Sequence, residues 1–438
     1  MEKQVTAMSD AVRQAVFYQI FLRSFTPEGT LSAARKKLSQ IAELGVTYVY
    51  LCPVVEADDH ENRAFWSRRQ RESGMENPKN PYRLKDYVFI DPEYGTDKDL
   101  KDFVEEAHRL GMGVLLDLVY LHCGPGAHIL SEHPDFVRRD EAGGLLLNEY
   151  NFASFCHEKP AVRQYFKENM AYFVRKFGVD GYRCDAAEHV PLDFWEECCG
   201  YLQELKPDII FLSEGVEPKH LRRAFHLTYS FFSQERIIAA ISGKGRADEV
   251  RAEWQERTAL YPEEGRCIRY LESHDLASDC YEQRYDKVLS AEAVEAGFFL
   301  IYTLDGVPML YGGNEICDCG RHSLWSNRDF GGLCVDWSLA ESEKAKTRSR
   351  FLTRLAKLRR QHRALHAGKL LWQDNEAPEK VLSFYRETEG ERLFVAVNLS
   401  GEGAKITAPQ GECLFSRSGQ MQEGILSLEA YGFGIYRV

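Results

Sequence analysis

Hydrophobic and polar positions along the chain form two kinds of stretch. Short apolar runs of strand length recur at Val16–Leu22, Val46–Leu51, Gly113–Val119, Gly181–Cys184, Ile209–Leu212, Ile268–Leu271 and Pro308–Tyr311, with a weaker candidate near Leu227–Phe231. Amphipathic stretches of helix length separate them, at Ser32–Leu44, Asp97–Leu110, Ala161–Phe177, Leu192–Leu205, within Ser233–Glu256, at Ala291–Thr303 and at Lys344–Gln361. Because strands that alternate with helices are typical of parallel sheets, the pattern predicts an α/β fold built as a (β/α)8 TIM barrel.

The pattern changes near Gly368, where shorter strands follow one another without helices. The clearest are Val381–Tyr385, Arg392–Asn398 and Tyr431–Val438, separated by Glu-Gly and Ser-Gly turn signals. Such a succession favours antiparallel pairing. We therefore predict a catalytic barrel over residues 1–366 and a C-terminal antiparallel β-sandwich domain over residues 367–438.

The composition indicates a compact chain of enzyme size. The 438 residues are 44% hydrophobic and 28% charged, which excludes collagen-like, low-complexity and disordered classes. The formal net charge of −12 repels phosphate backbones and anionic lipid, so we predict neither a nucleic-acid nor a membrane partner. Charges interrupt the early apolar stretches, and no apolar run reaches the roughly 18 residues of a membrane span, so we expect neither a secretory signal nor a transmembrane helix.

The cysteines favour a reducing compartment. Twelve are scattered in apolar surroundings, as at Cys184 and Cys267, without the short framework spacing of small secreted domains. The pair in Cys317–Cys319 lacks the two-residue spacer and the second pair that structural zinc needs, so we interpret it as a loop. The sequence thus predicts reduced thiols and a cytoplasmic location.

Polar side chains stand where four of the predicted strands end. They are Asp117 and His122 after the third run, Arg183 and Asp185 at the fourth, Glu214 at the fifth, and His274 and Asp275 at the seventh. A lone polar residue at a strand end is more often a helix cap than a catalyst. Four strands that deliver seven such residues to one rim of a barrel predict a functional site there.

This set of side chains suits acid–base or nucleophilic chemistry on a neutral substrate, because crowded carboxylates split their pKa values and take different roles. Glycoside cleavage is the natural candidate. A divalent metal site is the competing interpretation, since two histidines and three carboxylates could hold an ion. Arg183, two residues before Asp185, places a fixed positive charge against such an ion, and we predict no catalytic metal and no cofactor.

Four short segments resemble, in their residues and in their order, the motifs of the α-amylase family of glycoside hydrolases, and the resemblance extends over nearly the whole chain. The segments are Asp117–His122, Gly181–His189, Phe211–Glu214 and Glu272–Asp275, and supporting pieces are Val16–Ile20, Asp86–Thr96 and Gly306–Glu315. The resemblance implies retaining cleavage of α-glucosidic bonds, with Asp185 as nucleophile and Glu214 as general acid and then base. Asp275 is implied as the group that stabilises the transition state.

The resemblance also implies a set of substrate-binding residues: Tyr82, His122, Arg183, His274 and His189. Within this set, Arg183 is expected to keep Asp185 ionised, the histidine pair to bind sugar hydroxyls, and Tyr82 to stack on the sugar ring. The alternative for Tyr82 is packing at the rim. The implied partner is an oligosaccharide or α-glucan.

Several positions depart from the family pattern. Leu121 stands where many members have a calcium-ligating Asn, and Phe152–Cys156 lacks the usual later carboxylate, so we predict that the family's calcium site is absent. Glu188 stands where amylases commonly have Lys, which casts doubt on the binding of long polymers, and Arg83 follows Tyr82 where many members have Asp. Ala186, directly after the nucleophile, resembles members acting on α-1,4 bonds.

Two segments set the shape of the cleft. The insertion at residues 56–81 lies between the second strand and Tyr82, and it either walls one end of the cleft or forms a solvated surface loop. The excursion after the third strand, domain B, is reduced to residues 123–159. A wall would favour short oligosaccharides or a glycoside with a polar aglycone.

The main hypothesis is a glycosidase that hydrolyses α-glucosidic, mainly α-1,4, bonds in malto-oligosaccharides or related α-glucans. An alternative is a glucosyltransferase or a sucrose or disaccharide phosphorylase, which uses the same intermediate and a different acceptor. A third is a non-catalytic, amylase-like binding protein. That hypothesis predicts damaged catalytic positions, whereas Asp185, Glu214 and Asp275 are intact.

Overall fold

Parallel strands form the centre of the protein. The computed structural model describes residues 8–257, 260–262 and 266–438. Its eight-stranded parallel sheet contains β1 (Phe17–Ile20), β2 (Tyr48–Leu51), β3 (Gly113–Leu118), β4 (Gly181–Cys184), β5 (Ile210–Ser213), β6 (Leu227–Thr228), β7 (Ile268–Arg269) and β8 (Val307–Tyr311). The order is β6-β5-β4-β3-β2-β1-β8-β7, and a parallel bridge between Thr228 and Cys267 closes the ring. The predicted TIM barrel is confirmed.

The strands are mostly apolar because both of their faces are buried. In β1, Phe17 faces the barrel interior, where it belongs to one apolar cluster with Leu115 and Met309. Tyr18 and Ile20 belong to the larger cluster formed with the surrounding helices. The polar side chains of the strands lie towards their carboxyl ends, as Gln19, Asp117 and Arg183 do.

Helices surround the barrel. The longer ones are Asp97–Arg109, Pro160–Phe177, Leu192–Leu205, Phe231–Ile241, Ala247–Arg257, Ala291–Thr303 and Glu343–Gln361. The shorter ones are Asp10–Gln14, Leu22–Phe25, Leu31–Arg35, Leu38–Glu43, Arg68–Glu72, Ile129–Glu132, His220–Arg223, His274–Asp279, Tyr285–Val288 and Arg363–Ala367. Within the described part of the chain, no helix combines the length and hydropathy needed to cross a bilayer.

Two predicted helices are divided. The stretch predicted at Ser32–Leu44 is two helices, because the N–H groups of Lys36 and Lys37 bond three residues back and tighten the chain between them. The segment within Ser233–Glu256 is likewise two helices. They are separated at Gly243, whose φ of 70° lies in the left-handed region.

Two short antiparallel ribbons rise from the carboxyl ends of β2 and β3. Ala57–Asp58 pairs with Asn80–Leu84 around the insertion, and His122–Cys123 pairs with Ala153–Ser154 in the reduced domain B. Both ribbons contribute residues to the site described below.

Arg83 holds the insertion in place. Its guanidinium is fully buried and pairs with Asp58 at 3.0 Å. It also donates to the backbone carbonyls of Phe65 at 2.7 Å and Pro78 at 2.8 Å. An aspartate at this position could only accept hydrogen bonds, whereas the arginine satisfies several carbonyls of a non-helical segment at once. Arg83, a departure from the family pattern, thus stabilises the insertion at residues 56–81.

The C-terminal strands form an antiparallel sheet, as predicted. They are β9 (Lys369–Gln373), β10 (Val381–Thr388), β11 (Glu391–Asn398), β12 (Ala404–Thr407), β13 (Glu412–Gln422) and β14 (Ile425–Arg437). The order is β9-β10-β11-β14-β12, and β13 pairs with β14. The long β14 pairs with β12 along its first half and with β11 along its second, and residues of β10, β11, β12 and β14 share one apolar cluster. Phe433 of β14 stacks on Phe299 of the barrel at 4.2 Å.

Candidate active site

The predicted rim residues converge on one cavity at the carboxyl end of the barrel. Its volume is about 350 Å³. The predicted residues that line it are Tyr82, His122, Asp185, Glu214, His274 and Asp275. A larger cavity of about 670 Å³ lies on the outside of the barrel against Glu343–Gln361, and none of the predicted residues lines it. The smaller cavity is therefore the candidate active site.

Arg183 is the charged centre of this site. Its side chain is buried in β4, and Nη1 donates to Asp117 at 2.8 Å and to Asp185 at 2.7 Å. Nη2 forms an ion pair with Glu214. Burial lowers the pKa of Arg183, but Asp117 and Glu214 raise it well above its usual value, so the charge is permanent. One cation thus contacts three carboxyl groups. Because like charges repel, ionising each further group costs more free energy, which raises its pKa.

The carboxyl groups of Asp185 and Glu214 both have raised pKa values. Burial raises the pKa of Asp185 to about 6; Arg183 opposes this shift, and Asp117 adds to it. Burial raises the pKa of Glu214 to about 7 against the same arginine, with Asp185 and Asp275 adding to the shift. Both pKa values are therefore raised towards neutral pH, and that of Glu214 is the higher. An arrangement of this kind allows a carboxylate and a carboxylic acid to stand together in one cavity.

A sharp turn directly after Asp185 brings the backbone into contact with Glu214. Ala186 has φ 44° and ψ 40°, a left-handed conformation that an L-residue other than glycine adopts at a cost of about 1 kcal/mol. This turn directs the Ala186 N–H to Oε2 of Glu214 at 2.7 Å. The backbone directly after Asp185 therefore fixes the carboxyl group of Glu214.

Hydrogen bonds fix the proton positions of His274 and Tyr82. Oε1 of Gln19 accepts from the backbone N–H of His274 at 3.1 Å, so the Gln19 amide nitrogen donates to Nδ1 at 2.9 Å. Nε2 of His274 then carries the hydrogen and donates to the Tyr82 hydroxyl at 2.7 Å. That hydroxyl donates to Asp117 at 3.0 Å. The rings of Tyr82 and His274 also stack, with centroids 5.5 Å apart.

Both histidines of the cavity are neutral. Burial lowers the pKa of His122 and of His274 to about 4. His122 donates from Nε2 to the Tyr82 carbonyl at 2.9 Å and receives the Asn148 amide at Nδ1 at 3.2 Å. Each ring nitrogen of the two histidines therefore has a partner within the protein, and neither ring adds charge to the cavity.

Asp275 has a partner that the sequence did not reveal. Arg69 donates from Nη2 to Oδ1 of Asp275 at 2.7 Å, and its Nε lies 2.6 Å from Oδ2 of Asp279. Burial raises the pKa of Asp275, but His274, Arg69 and Arg183 together lower it below its usual value. Asp275 is therefore an anion in the cavity wall at every pH at which the other two carboxyls exchange protons.

His189 lies apart from the other predicted residues. Its side chain is 54% exposed, and its Nδ1 is 3.8 Å from Glu149, a residue of the cavity rim. It does not line the cavity, so its role in substrate binding stays a prediction. Its neighbour Glu188 accepts from the backbone N–H groups of Val216 at 2.5 Å and Glu217 at 2.8 Å. Glu188 thus braces the loop that follows Glu214.

The region of the family's calcium site offers unsuitable ligands. A cavity of about 250 Å³ there is lined by Leu121, Arg138, Ser154, His157 and neighbouring residues. Burial lowers the pKa of His157 to about 4, and its Nε2 lies 3.0 Å from the Tyr120 carbonyl. Calcium requires six to eight oxygen ligands, which a leucine and an arginine cannot supply. In the described residues, no group of three or more His, Cys, Asp and Glu side chains is placed to hold a metal.

The sequence matches one family model and several related proteins. The family model described as "Alpha amylase, catalytic domain" matches residues 8–141 and 145–363. The α-amylase MalA of Haloarcula japonica is 26% identical over 91% of this chain, and the match spans 57% of that relative. A cyclomaltodextrinase of Geobacillus thermopakistaniensis is 26% identical over 98% of this chain and 78% of the relative.

A solved structure has the same fold over the whole length of the chain. An α-amylase from Lactobacillus plantarum superposes with a TM-score of 0.82 at 22% identity, covering 98% of this chain and 100% of that one. Its likeness supports the architecture of a barrel followed by a sheet. Together with the family model, which covers most of the chain, it leads to one conclusion: this protein belongs to the α-amylase family of glycoside hydrolases.

Proposed function

We propose that the protein hydrolyses α-1,4-glucosidic bonds in malto-oligosaccharides or related α-glucans, with retention of anomeric configuration. The observation that carries this proposal is the shared guanidinium of Arg183, which contacts Asp185 and Glu214 in one cavity where burial raises the pKa of both carboxyls. A nucleophile and an acid of this kind are what retaining cleavage needs.

The proposed reaction has two steps. Asp185 attacks the anomeric carbon, the glycosidic C–O bond breaks, and Glu214 gives its proton to the leaving oxygen. A water then attacks the same carbon, gives its proton to the Glu214 carboxylate, and displaces Asp185. Each step inverts the configuration, so the released sugar retains the α-configuration.

The remaining residues bind and orient the sugar in this proposal. The Asp275 carboxylate accepts hydroxyl hydrogens and stabilises positive charge as it develops on the ring. His122 and His274 supply neutral imidazoles, and the ring of Tyr82 lies against His274 in the cavity wall. The relatives of this chain include cyclomaltodextrinases and a maltogenic α-amylase, which supports an α-glucan substrate. We also propose a cytoplasmic location, which the twelve free cysteines support.

Product analysis tests the proposal. Purified protein is incubated with maltoheptaose or isomaltotriose, with and without chelator, and the first product is followed by proton NMR. We expect shorter α-configured sugars from maltoheptaose at a rate that the chelator leaves unchanged. Product that forms only after addition of phosphate or a sugar acceptor would indicate the phosphorylase or transferase instead. Binding without any turnover would indicate the non-catalytic protein.

The pH dependence of kcat/KM follows from the same two carboxyls. Asp185 must be ionised, and its pKa is about 6, whereas Glu214 must be protonated, and its pKa is about 7. We expect a bell-shaped profile that falls below about pH 6 as Asp185 gains a proton and above about pH 7 as Glu214 loses one. Initial rates at low maltoheptaose concentration measure it. A rate that stays constant through this interval and for two units on either side would contradict the assignment.

A further inference from the structure

Arg69 joins two loops across one side of the cavity. It belongs to the helix Arg68–Glu72 of the insertion after β2, whereas Asp275 and Asp279 belong to the helix after β7. The distances are 2.7 Å to Asp275 and 2.6 Å to Asp279. The guanidinium carbon also lies 5.7 Å from the ring centre of Trp325, in the loop after β8. Arg69, Asp275 and Trp325 all line the cavity, so these contacts form a continuous wall.

This wall stands across the barrel mouth from Glu214. It is built from the loops after β2, β7 and β8, which are neighbours around the closed ring on either side of β1. Asp185 and Glu214 follow β4 and β5, on the opposite side of that ring. Because Glu214 protonates the leaving group, the leaving group lies on its side of the cavity. The wall therefore closes the other end, which receives the non-reducing part of the substrate.

The insertion holds the Arg69 segment rigidly. Gln70, the residue after Arg69, is fully buried and donates to the Asn77 carbonyl at 3.0 Å. Asn77 is 1% exposed and donates to the carbonyl of Trp325 at 3.1 Å, which ties the insertion to the loop after β8. With Arg83 anchoring the base of the insertion, the backbone that carries Arg69 is held by contacts of its neighbours as well as by the ion pairs of Arg69 itself.

We propose that Arg69 closes the glycone end of the cavity, so that the enzyme accepts a single glucosyl unit there and shortens its substrates from the non-reducing end. This inference rests on the proposed function and adds the chain-end specificity. The cavity volume of about 350 Å³ is near the lower limit of small-molecule sites, which run from roughly 300 to 1,000 Å³. A cleft that binds the interior of a glucan chain must instead be open at both ends.

A pair of substrates tests the inference directly. One is 4-nitrophenyl α-maltoheptaoside, and the other is the same compound with its non-reducing glucose blocked by a 4,6-O-ethylidene bridge. For the native enzyme we expect glucose as the first product of the free substrate. The blocked substrate should react about 100-fold more slowly, a ratio that a steric mismatch in a closed pocket produces. Products are separated and identified by mass spectrometry.

Two variants test whether Arg69 is responsible for the selectivity between the free and the blocked substrate. Arg69→Ala should lower the ratio of free to blocked cleavage at least tenfold and release maltose or longer fragments. Arg68→Ala is the matched control, because its neighbouring guanidinium lines the same cavity but pairs only with Glu72, at 2.8 Å. This variant should keep the native ratio. Since each ratio is measured within one variant, a general loss of activity in Arg69→Ala does not obscure the result.

Three results would overturn the inference. Cleavage of the blocked substrate by the native enzyme at a rate close to that of the free one would show that Arg69 does not close the cavity. An unchanged ratio in Arg69→Ala would assign the selectivity to another group. No cleavage of either substrate would overturn the proposed hydrolysis, and this inference with it.

Discussion

Replacing Glu214 by glutamine is expected to lower kcat/KM for maltoheptaose by about 10²- to 10⁴-fold, the usual contribution of a positioned general acid. The amide keeps the shape of the side chain and has no proton to give to the leaving oxygen. The same variant should lose far less activity on α-glucosyl fluoride, because fluoride leaves without protonation. Initial rates on the two substrates measure this difference.

The matched control for this variant is Glu217→Gln. Glu217 is an exposed carboxylate three residues further along the same loop, and its backbone N–H, not its side chain, contacts Glu188. Glu217→Gln should keep native rates on both substrates. An equal loss on maltoheptaose and on the fluoride in Glu214→Gln would contradict the role of Glu214 as the acid.

Replacing Arg183 by glutamine is expected to lower the free energy of unfolding at neutral pH by about 3 to 5 kcal/mol, the usual cost of removing one partner from a buried ion pair. Asp117, Asp185 and Glu214 lose their common cation in this variant. Without it, burial and mutual repulsion raise their pKa values further, so ionised Asp185 becomes scarce at neutral pH and activity falls. Urea unfolding measures the stability.

The loss of unfolding free energy in Arg183→Gln should depend on pH. The pKa of Asp117 and of Asp185 is about 6 in the native protein and is higher in the variant, so protonation removes the buried charges as the pH falls. The deficit should therefore be largest near pH 7 and shrink towards pH 5. Arg68→Gln is the control, since its pair with Glu72 is exposed to solvent and its loss should leave the free energy of unfolding nearly unchanged. A deficit for Arg183→Gln below about 1 kcal/mol at neutral pH would contradict this account.

The barrel and the position of its site could be predicted because both follow from local rules. Apolar runs buried on two faces gave β1 to β8, including the two-residue β6. Parallel strands place their carboxyl ends on one rim, so Asp185, Glu214 and His274 had to be neighbours once the strand order was known. The conformation of Ala186 and the donors of Gln19 are fixed only by the folded contacts, and they left no mark in the sequence.

The insertion shows where sequence reasoning stopped. Its composition is typical of a solvated loop, and periodicity does not distinguish Arg69 from its neighbours in Arg68–Glu72. What turns Arg69 inward is the buried network of Arg83, Gln70 and Asn77, which connects residues far apart in the chain. His189 shows the opposite case, since a motif position placed it in the site while its side chain lies outside the cavity.

The most direct test of the central claim is to trap the glycosyl-enzyme. The protein is incubated with 5-fluoro-α-glucosyl fluoride, whose second step is slow, then digested and examined by mass spectrometry. We expect one fluoroglucosyl group on the peptide that carries Asp185, and none in Asp185→Asn. A label on another carboxylate, or steady turnover of the reagent with release of a β-configured sugar and no label, would contradict the retaining mechanism assigned to Asp185 and Glu214.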